Sequence, residues 1–279
     1  MTMKRYVIAA FVAIICLSTA SAQRLVILHT NDTHSQIPTI KVGPRKGLGG
    51  VEQRLQLINE IRGQYGKDKV LLLDGGDYDQ GTPYFTMARG EVEIELMDAL
   101  GYDVATLGNH EFDNGQEELA SRLDRALFKT VTCNYDFSAT PLKNVVKPYV
   151  IVRRGGMKIG IIGATSHLAT CVAKANLKGL KQLNATVEIN RWADYLKNRR
   201  HCDLVILLSH LGYALEYRTE ESPDDRYVAA HSRNLDLIIG GHTHTMLKSA
   251  KEVADLDGRM IPIMQVGSQG CAVGKLEIF

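Results

Sequence analysis

The chain has 279 residues, 45% of them hydrophobic and 23% charged, with 33 Lys and Arg against 31 Asp and Glu. That length bounds the answer to one large domain or two small ones. The near-neutral balance offers no basic surface for a nucleic-acid polymer.

Residues 1–22 read as a signal peptide. Lys4 and Arg5 are followed by the almost wholly apolar Tyr6 to Leu17, and Ala20-Ser21-Ala22 is a small-residue cleavage site. The apolar stretch falls short of the roughly 20 residues that cross a bilayer, so no stable membrane anchor is expected. Ile15 stands where a lipid-attachment site at Cys16 needs a small residue. The mature chain, 23–279, is expected to begin at Gln23 and to be secreted or periplasmic. Without Lys4 and Arg5 its basic residues number 31, equal to the acidic ones. Cys133, Cys171, Cys202 and Cys271 remain, which in an oxidising compartment permits two disulfides in any of three pairings. Cys202 introduces the apolar run Asp203 to Leu208 and reads equally well as a small buried hydrophobe.

In chain order, Leu25 to Leu28, Val70 to Leu73, Val104 to Leu107, Leu204 to Leu208 and Leu235 to Ile239 are the clearest strands. Between them, Gly50 to Arg62 predicts a helix with Val51, Leu55, Ile58 and Ile61 on one face. Gln116 to Leu127 predicts another, with Leu119, Leu123 and Leu127. Tyr149 to Val152 and Lys158 to Ile162 suggest a hairpin, and Ile261 to Val266 and Ala272 to Phe279 read as two closing strands. The charged segment Thr219 to Arg226 reads as a mobile, solvated surface turn. Strands alternating with covering helices make a layered α/β domain.

The loops that follow the strands are uniform in chemistry, and in open α/β sheets that is where ligands bind. Asn31-Asp32-Thr33-His34 follows the first strand, and Gly76-Asp77-Tyr78-Asp79-Gln80-Gly81 the second. Gly108-Asn109-His110-Glu111-Phe112-Asp113 follows the third, Ser209-His210 the fourth, and Gly240-Gly241-His242-Thr243-His244 the fifth. One such loop is weak evidence, since a single His at a strand end is usually structural; five in order point to a metal site. Imidazoles, carboxylates and one amide, without thiolates, suit Zn, Mn, Fe or Co. Seven candidate ligands exceed what one ion needs, and a shared carboxylate would set two metals about 4 Å apart for displacement at phosphorus. His29, His167, His201 and His231 read as structural or surface residues. Gly75, Gly76, Gly81, Gly108, Gly240 and Gly241 are expected to let the backbone turn sharply beside the metals.

These motifs, and the run Gly108-Asn109-His110-Glu111-Phe112-Asp113-Asn114-Gly115 above all, resemble the metallophosphatase domain of the 5′-nucleotidase family. That group includes bacterial 5′-nucleotidase/UDP-sugar hydrolases and 2′,3′-cyclic-nucleotide phosphodiesterases. The resemblance spans nearly all of the mature chain and implies a four-layer αββα sandwich. It makes Asp32, His34 and His244 ligands of one divalent ion, Asn109, His210 and His242 ligands of a second, and Asp77 the bridge. His110 would be free of metal, facing the phosphate beside Asn109, with Asp113 orienting its ring. Asp79 and Glu111 would shape the loops. Attack would come from hydroxide held on the metals, with His110 stabilising or protonating what leaves.

Family members of the nucleotidase type continue into a C-terminal domain that selects the nucleoside, whereas this sequence stops at Phe279. The expectation is therefore either a broad phosphatase or an enzyme whose specificity domain is a separate chain. The leading reading is hydrolysis of nucleotide monoesters, with 2′,3′-cyclic-nucleotide hydrolysis as the rival in the same class. A non-catalytic metal- or nucleotide-binding subunit is the alternative from another class, and it has no need of His110 and Asp113 beside seven intact ligands. Tyr78, Tyr84, Phe85 and Tyr213 lie near the metal loops in sequence and are the candidates for a nucleoside pocket.

Overall fold

Alternate side chains of a strand leave opposite faces of its sheet, and apolar residues at successive positions call for cover on both. Leu25–Thr30 is such a strand, buried throughout. The computed structural model describes residues 25–216 and 218–279, so the expected signal segment lies outside the described residues. In the first sheet, Leu25–Thr30 pairs antiparallel with Gly274–Ile278 on one side. On the other side run Val70–Asp74, Val104–Thr106, Lys129–Val131 and Val146–Lys147, all parallel. In the second sheet, Met157–Thr165, Leu204–His210, Leu237–Ile239 and Met260–Met264 run parallel, flanked antiparallel by Tyr149–Arg154 and Lys251–Ala254.

Three apolar clusters turn these sheets into four layers. Leu25, Ile27, Leu71 and Leu73 meet Ile159, Ile161, Ile206 and Leu208 between the sheets. Val26, Leu28 and Leu72 face outward onto Ile58, Ile94, Met97 and Leu119 of the helices Val51–Tyr65, Glu91–Leu100 and Gln116–Arg125. Ile162, Val205 and Leu207 face the other way, onto Ile189 and Val228 of Ala185–Asp194 and Asp225–Ala230. This is the αββα sandwich.

The five clear strands and the hairpin are present, the hairpin closing through the positive-φ pair Gly155 and Gly156. Two helix faces differ from expectation. In Val51–Tyr65 the buried residues are Arg54, Ile58 and Ile61, while Leu55 is exposed. Gln116–Arg125 stops before Leu127, whose backbone N–H leaves the helical ladder to donate to Asp98 Oδ1 at 2.9 Å. Leu127 is consequently 76% exposed. The segment Thr219 to Arg226 is not wholly solvated either. Asp224 caps the helix that Asp225 opens, accepting from Tyr227 N at 2.8 Å, and both carboxylates are buried. All four cysteines among the described residues are free, with Cys133 and Cys202 buried in the core on the outer face of the second sheet. No helix among the described residues is long and apolar enough to cross a membrane.

Candidate metal centre

The parallel strands of both sheets end at one edge, and their loops are stitched to each other before they hold anything else. Asp32 N donates to Gly76 O (2.9 Å) and His34 N to Asp77 O (3.0 Å), so the first two loops run on side by side. Asp32 accepts from His242 N at 2.9 Å through Oδ1, which fixes the last loop against the first. Asp77 Oδ1 accepts from His110 N at 2.9 Å and ties in the third. Glu111 is buried and gathers three backbone donors, from Asp77, Asp79 and Gly108. Behind it Asp79 pairs with the buried Arg122 at 2.7 Å.

Five of the seven candidate ligands carry positive φ angles, namely Asp32 (49°), His34 (47°), Asp77 (56°), His242 (74°) and His244 (53°). Side chains rarely adopt that conformation, at a cost of order 1–3 kcal/mol each, and its concentration here marks a site whose surroundings over-determine it. The glycines act in two ways. Gly76 and Gly81 have positive φ, as a sharp turn requires, whereas Gly75, Gly108, Gly240 and Gly241 do not. At Gly108 the constraint is space, because a Cβ would collide with the Asp77 carboxylate.

The side chains converge in three groups, each with donor atoms within 4.8 Å of one another: Asp32, His34 and His244; Asp77, His210 and His242; and, joining these, His34, Asp77 and His110. His34 Nε2 and His244 Nε2 lie 2.8 Å apart, and His210 Nε2 is 3.0 Å from Asp77 Oδ2. The His210 Nδ1 contacts the Gly75 carbonyl at 2.7 Å, which directs Nε2 inward. Asn109 lines the same cavity as His34, Asp77, His110, His242 and His244, and its Oδ1 is buried without a hydrogen-bond partner. His110 Nδ1 is 2.8 Å from Asp113 Oδ2, leaving Nε2 free. His29, His167, His201 and His231 stay outside all three groups. His29 is buried in its strand and His231 stacks on Tyr227 at 4.0 Å.

Burial lowers His34 and His242 to about 4, which keeps both neutral, the form in which an imidazole can hold a metal. Burial likewise lifts Asp32 to about 7, helped by the neighbouring Asp77 charge. Asp77 itself is held well below the usual range, since His210 and the other imidazoles outweigh its desolvation. His210 is pushed up to about 10, its burial overcome by Asp77 and Asp32. His110 is raised, because the Asp113 hydrogen bond and the Asp77 charge exceed its burial cost. The depressed Asp77 and the raised His210 share one cause, the 3.0 Å contact between a buried carboxylate and a buried imidazole. With the orphaned amide oxygen of Asn109 and the neutral imidazoles, this donor set fits divalent cations of the borderline class.

Several contributors escaped the sequence reading. Buried Gln265 accepts from Thr245 N (2.5 Å) and Thr243 Oγ1 (3.1 Å), shaping the loop that carries His242 and His244. Asp225 accepts from Ser209 Oγ beside His210, and burial lifts its carboxyl to about 8. Ser268 and Gln269, on the cavity rim, follow the strand Met260–Met264. That strand is the last of the parallel set, so the loop after it carries the same signal as the other five. Arg45, also on the rim, lies in a long loop and has no such signal.

A four-layer sandwich with a histidine–carboxylate cluster at its strand ends defines a metallophosphatase, and residues 25–246 match the calcineurin-like phosphoesterase profile. The chain belongs to that family. It is 31% identical to rat 5′-nucleotidase over 93% of its own length and 47% of the relative's. The solved structure of a 5′-nucleotidase precursor from Thermus thermophilus superposes with a TM-score of 0.81 at 31% identity, covering 91% of this chain and 51% of that one. The calcineurin-like phosphoesterase YfkN from Bacillus subtilis aligns with a TM-score of 0.75 at 27% identity, covering 92% and 85% respectively. The chain spans about half the length of the curated relatives it matches.

Proposed function

We propose that the protein hydrolyses phosphate monoesters, nucleotides foremost, using two divalent ions drawn from Zn, Mn, Fe and Co. The observation that carries this reading is the pair of donor groups, Asp32–His34–His244 and Asp77–His210–His242, joined by a third that contains both His34 and Asp77. Asp32, His34 and His244 would hold one ion, Asn109, His210 and His242 the other, and Asp77 would serve both. Bound ions would supply Lewis-acid polarisation of the phosphoryl group and a nucleophile at neutral pH. The chain's own residues do the rest. Asn109 and His110 face the cavity where the phosphoryl group sits, and Asp113 holds the His110 ring so that Nε2 can stabilise or protonate the leaving oxygen. The buried Glu111 keeps the Asp77 and Asn109 loops in register. The reading includes export after loss of residues 1–22, which Gln23 as the first residue of the recovered protein would support and a retained Met1 would oppose.

The test is a panel of a nucleoside monophosphate, a 2′,3′-cyclic nucleotide, a UDP-sugar and an aryl phosphate, run on metal-stripped protein with each metal restored. Orthophosphate release from the two monoesters, dependent on added metal, is the expected result. Cleavage of the cyclic nucleotide alone would shift the assignment to a phosphodiesterase. Metal binding with no cleavage of any substrate would leave a binding subunit in its place.

A further inference from the structure

Within the cavity, of about 620 Å³, Arg45 is the one side chain with a fixed positive charge among the described lining residues. That volume falls inside the roughly 300–1,000 Å³ typical of small-molecule sites and leaves room beyond a single phosphoryl group. Residues 36–50 hold Lys41, Arg45 and Lys46 and no acidic residue. The loop closes on itself, with Gly47 N donating to Ile40 O and Ile40 N to Leu48 O, both at 2.9 Å, so Arg45 sits near its tip.

That tip is not free. Arg45 Nη1 donates to Ser268 Oγ and Gln269 Oε1, each at 3.0 Å. Gln269 N in turn donates to Asp32 O at 2.7 Å, and Asn31 Nδ2 to Gly267 O at 2.8 Å. The loop also lies so close that a Cβ on Gly49 would come within 2.8 Å of the Gln269 carbonyl oxygen. The guanidinium is therefore indexed to the metal-site backbone through two short links. A guanidinium has five N–H donors in a planar fork, and with Nη1 engaged the remainder are available to an anion. Arg45 is exposed at the rim, whereas Asp77 at the floor is 2% exposed. A phosphoryl group seated over Asp77 and His110 would leave the remainder of its substrate in the cavity that Arg45 also lines.

We propose that Arg45 is a specificity-determining residue that grips a second anionic group next to the scissile phosphoryl, favouring substrates such as nucleoside diphosphates over esters with an uncharged leaving group. The inference rests on the hydrolase reading above. In the diphosphate case water adds to the terminal phosphorus and the bond from that phosphorus to the bridging oxygen breaks. Nucleoside monophosphate and orthophosphate leave, with one proton released to solvent.

Wild type, Arg45→Ala and Arg45→Lys are compared in kcat/KM on a nucleoside diphosphate and an aryl phosphate. Calorimetric affinities for inorganic pyrophosphate and orthophosphate are measured in parallel. Arg45→Ala should lose about 10- to 100-fold more on the diphosphate than on the aryl phosphate, mainly through KM, and Arg45→Lys should recover part of it, as expected for charge-assisted hydrogen bonds. Pyrophosphate affinity should fall by a similar factor relative to orthophosphate. Equal losses on both substrates would mean that Arg45 serves the scissile phosphoryl or only props the loop, and no loss would make it a bystander; either overturns the proposal. Failure of the wild type on both substrates would instead strike the hydrolase reading, while the pyrophosphate-to-orthophosphate ratio would still judge Arg45.

Discussion

At the scale of single residues, the proposed function assigns His110 to chemistry and not to metal holding. Its Nδ1 is committed to Asp113, yet one of its ring nitrogens also lies within 4.8 Å of donor atoms of His34 and Asp77. His110→Ala should retain bound metal and lose on the order of 10²- to 10⁴-fold in kcat, the range for a positioned acid or base, with Asp113→Ala losing less. Metal content and kcat measured on the same preparation check this. An emptied site in His110→Ala would make His110 a ligand. The convergence of the candidate donors was legible because Asp, Asn and His recur directly after strands, a pattern that needs no tertiary information. Gln265 and Asp225 were not legible: each acts by hydrogen-bonding a loop remote in sequence, and neither residue type signals such a partner. Asp225 was further disguised by its charged neighbours Glu220, Glu221, Asp224 and Arg226, which suggest a solvated turn.

At the scale of elements, the five clearest strands are legible because each is a short apolar run, whereas Lys129–Val131, Val146–Lys147 and Lys251–Ala254 carry too few apolar residues to signal one. Helices were read less well. Glu91–Leu100 begins Glu-Val-Glu-Ile-Glu-Leu, an alternation with the period of a strand, and it folds as a helix because Ile94, Met97 and Leu100 pack on the outer face of the first sheet. Gln116–Arg125 shows how a boundary decides burial: Leu119 is fully buried, and Leu127, two turns on, is past the end. Leu119→Ala should therefore cost about 2–5 kcal/mol of unfolding free energy, and Leu127→Ala should stay within about 0.5 kcal/mol. Urea unfolding of both variants is the measurement. Equal losses would restore the longer helix face that the leucine spacing suggests.

At the scale of the molecule, the site exists because two sheets present the carboxyl ends of their parallel strands to one place. The first sheet brings Asp32, His34, Asp77 and Asn109, and the second brings His210, His242 and His244. Neither sheet carries the whole candidate donor set alone, so the proposed centre requires the sandwich. The sequence order of the loops made the set visible, but the pairing of loops across sheets, as in His242 N on Asp32, emerges only in three dimensions. The most direct test of the account is metal stoichiometry by mass spectrometry on wild type and Asp77→Ala, with phosphate-ester turnover recorded on the same samples. Two divalent ions per chain are expected in the wild type, with metal lost and turnover abolished in Asp77→Ala. Two ions and full turnover in Asp77→Ala would contradict a shared two-metal centre.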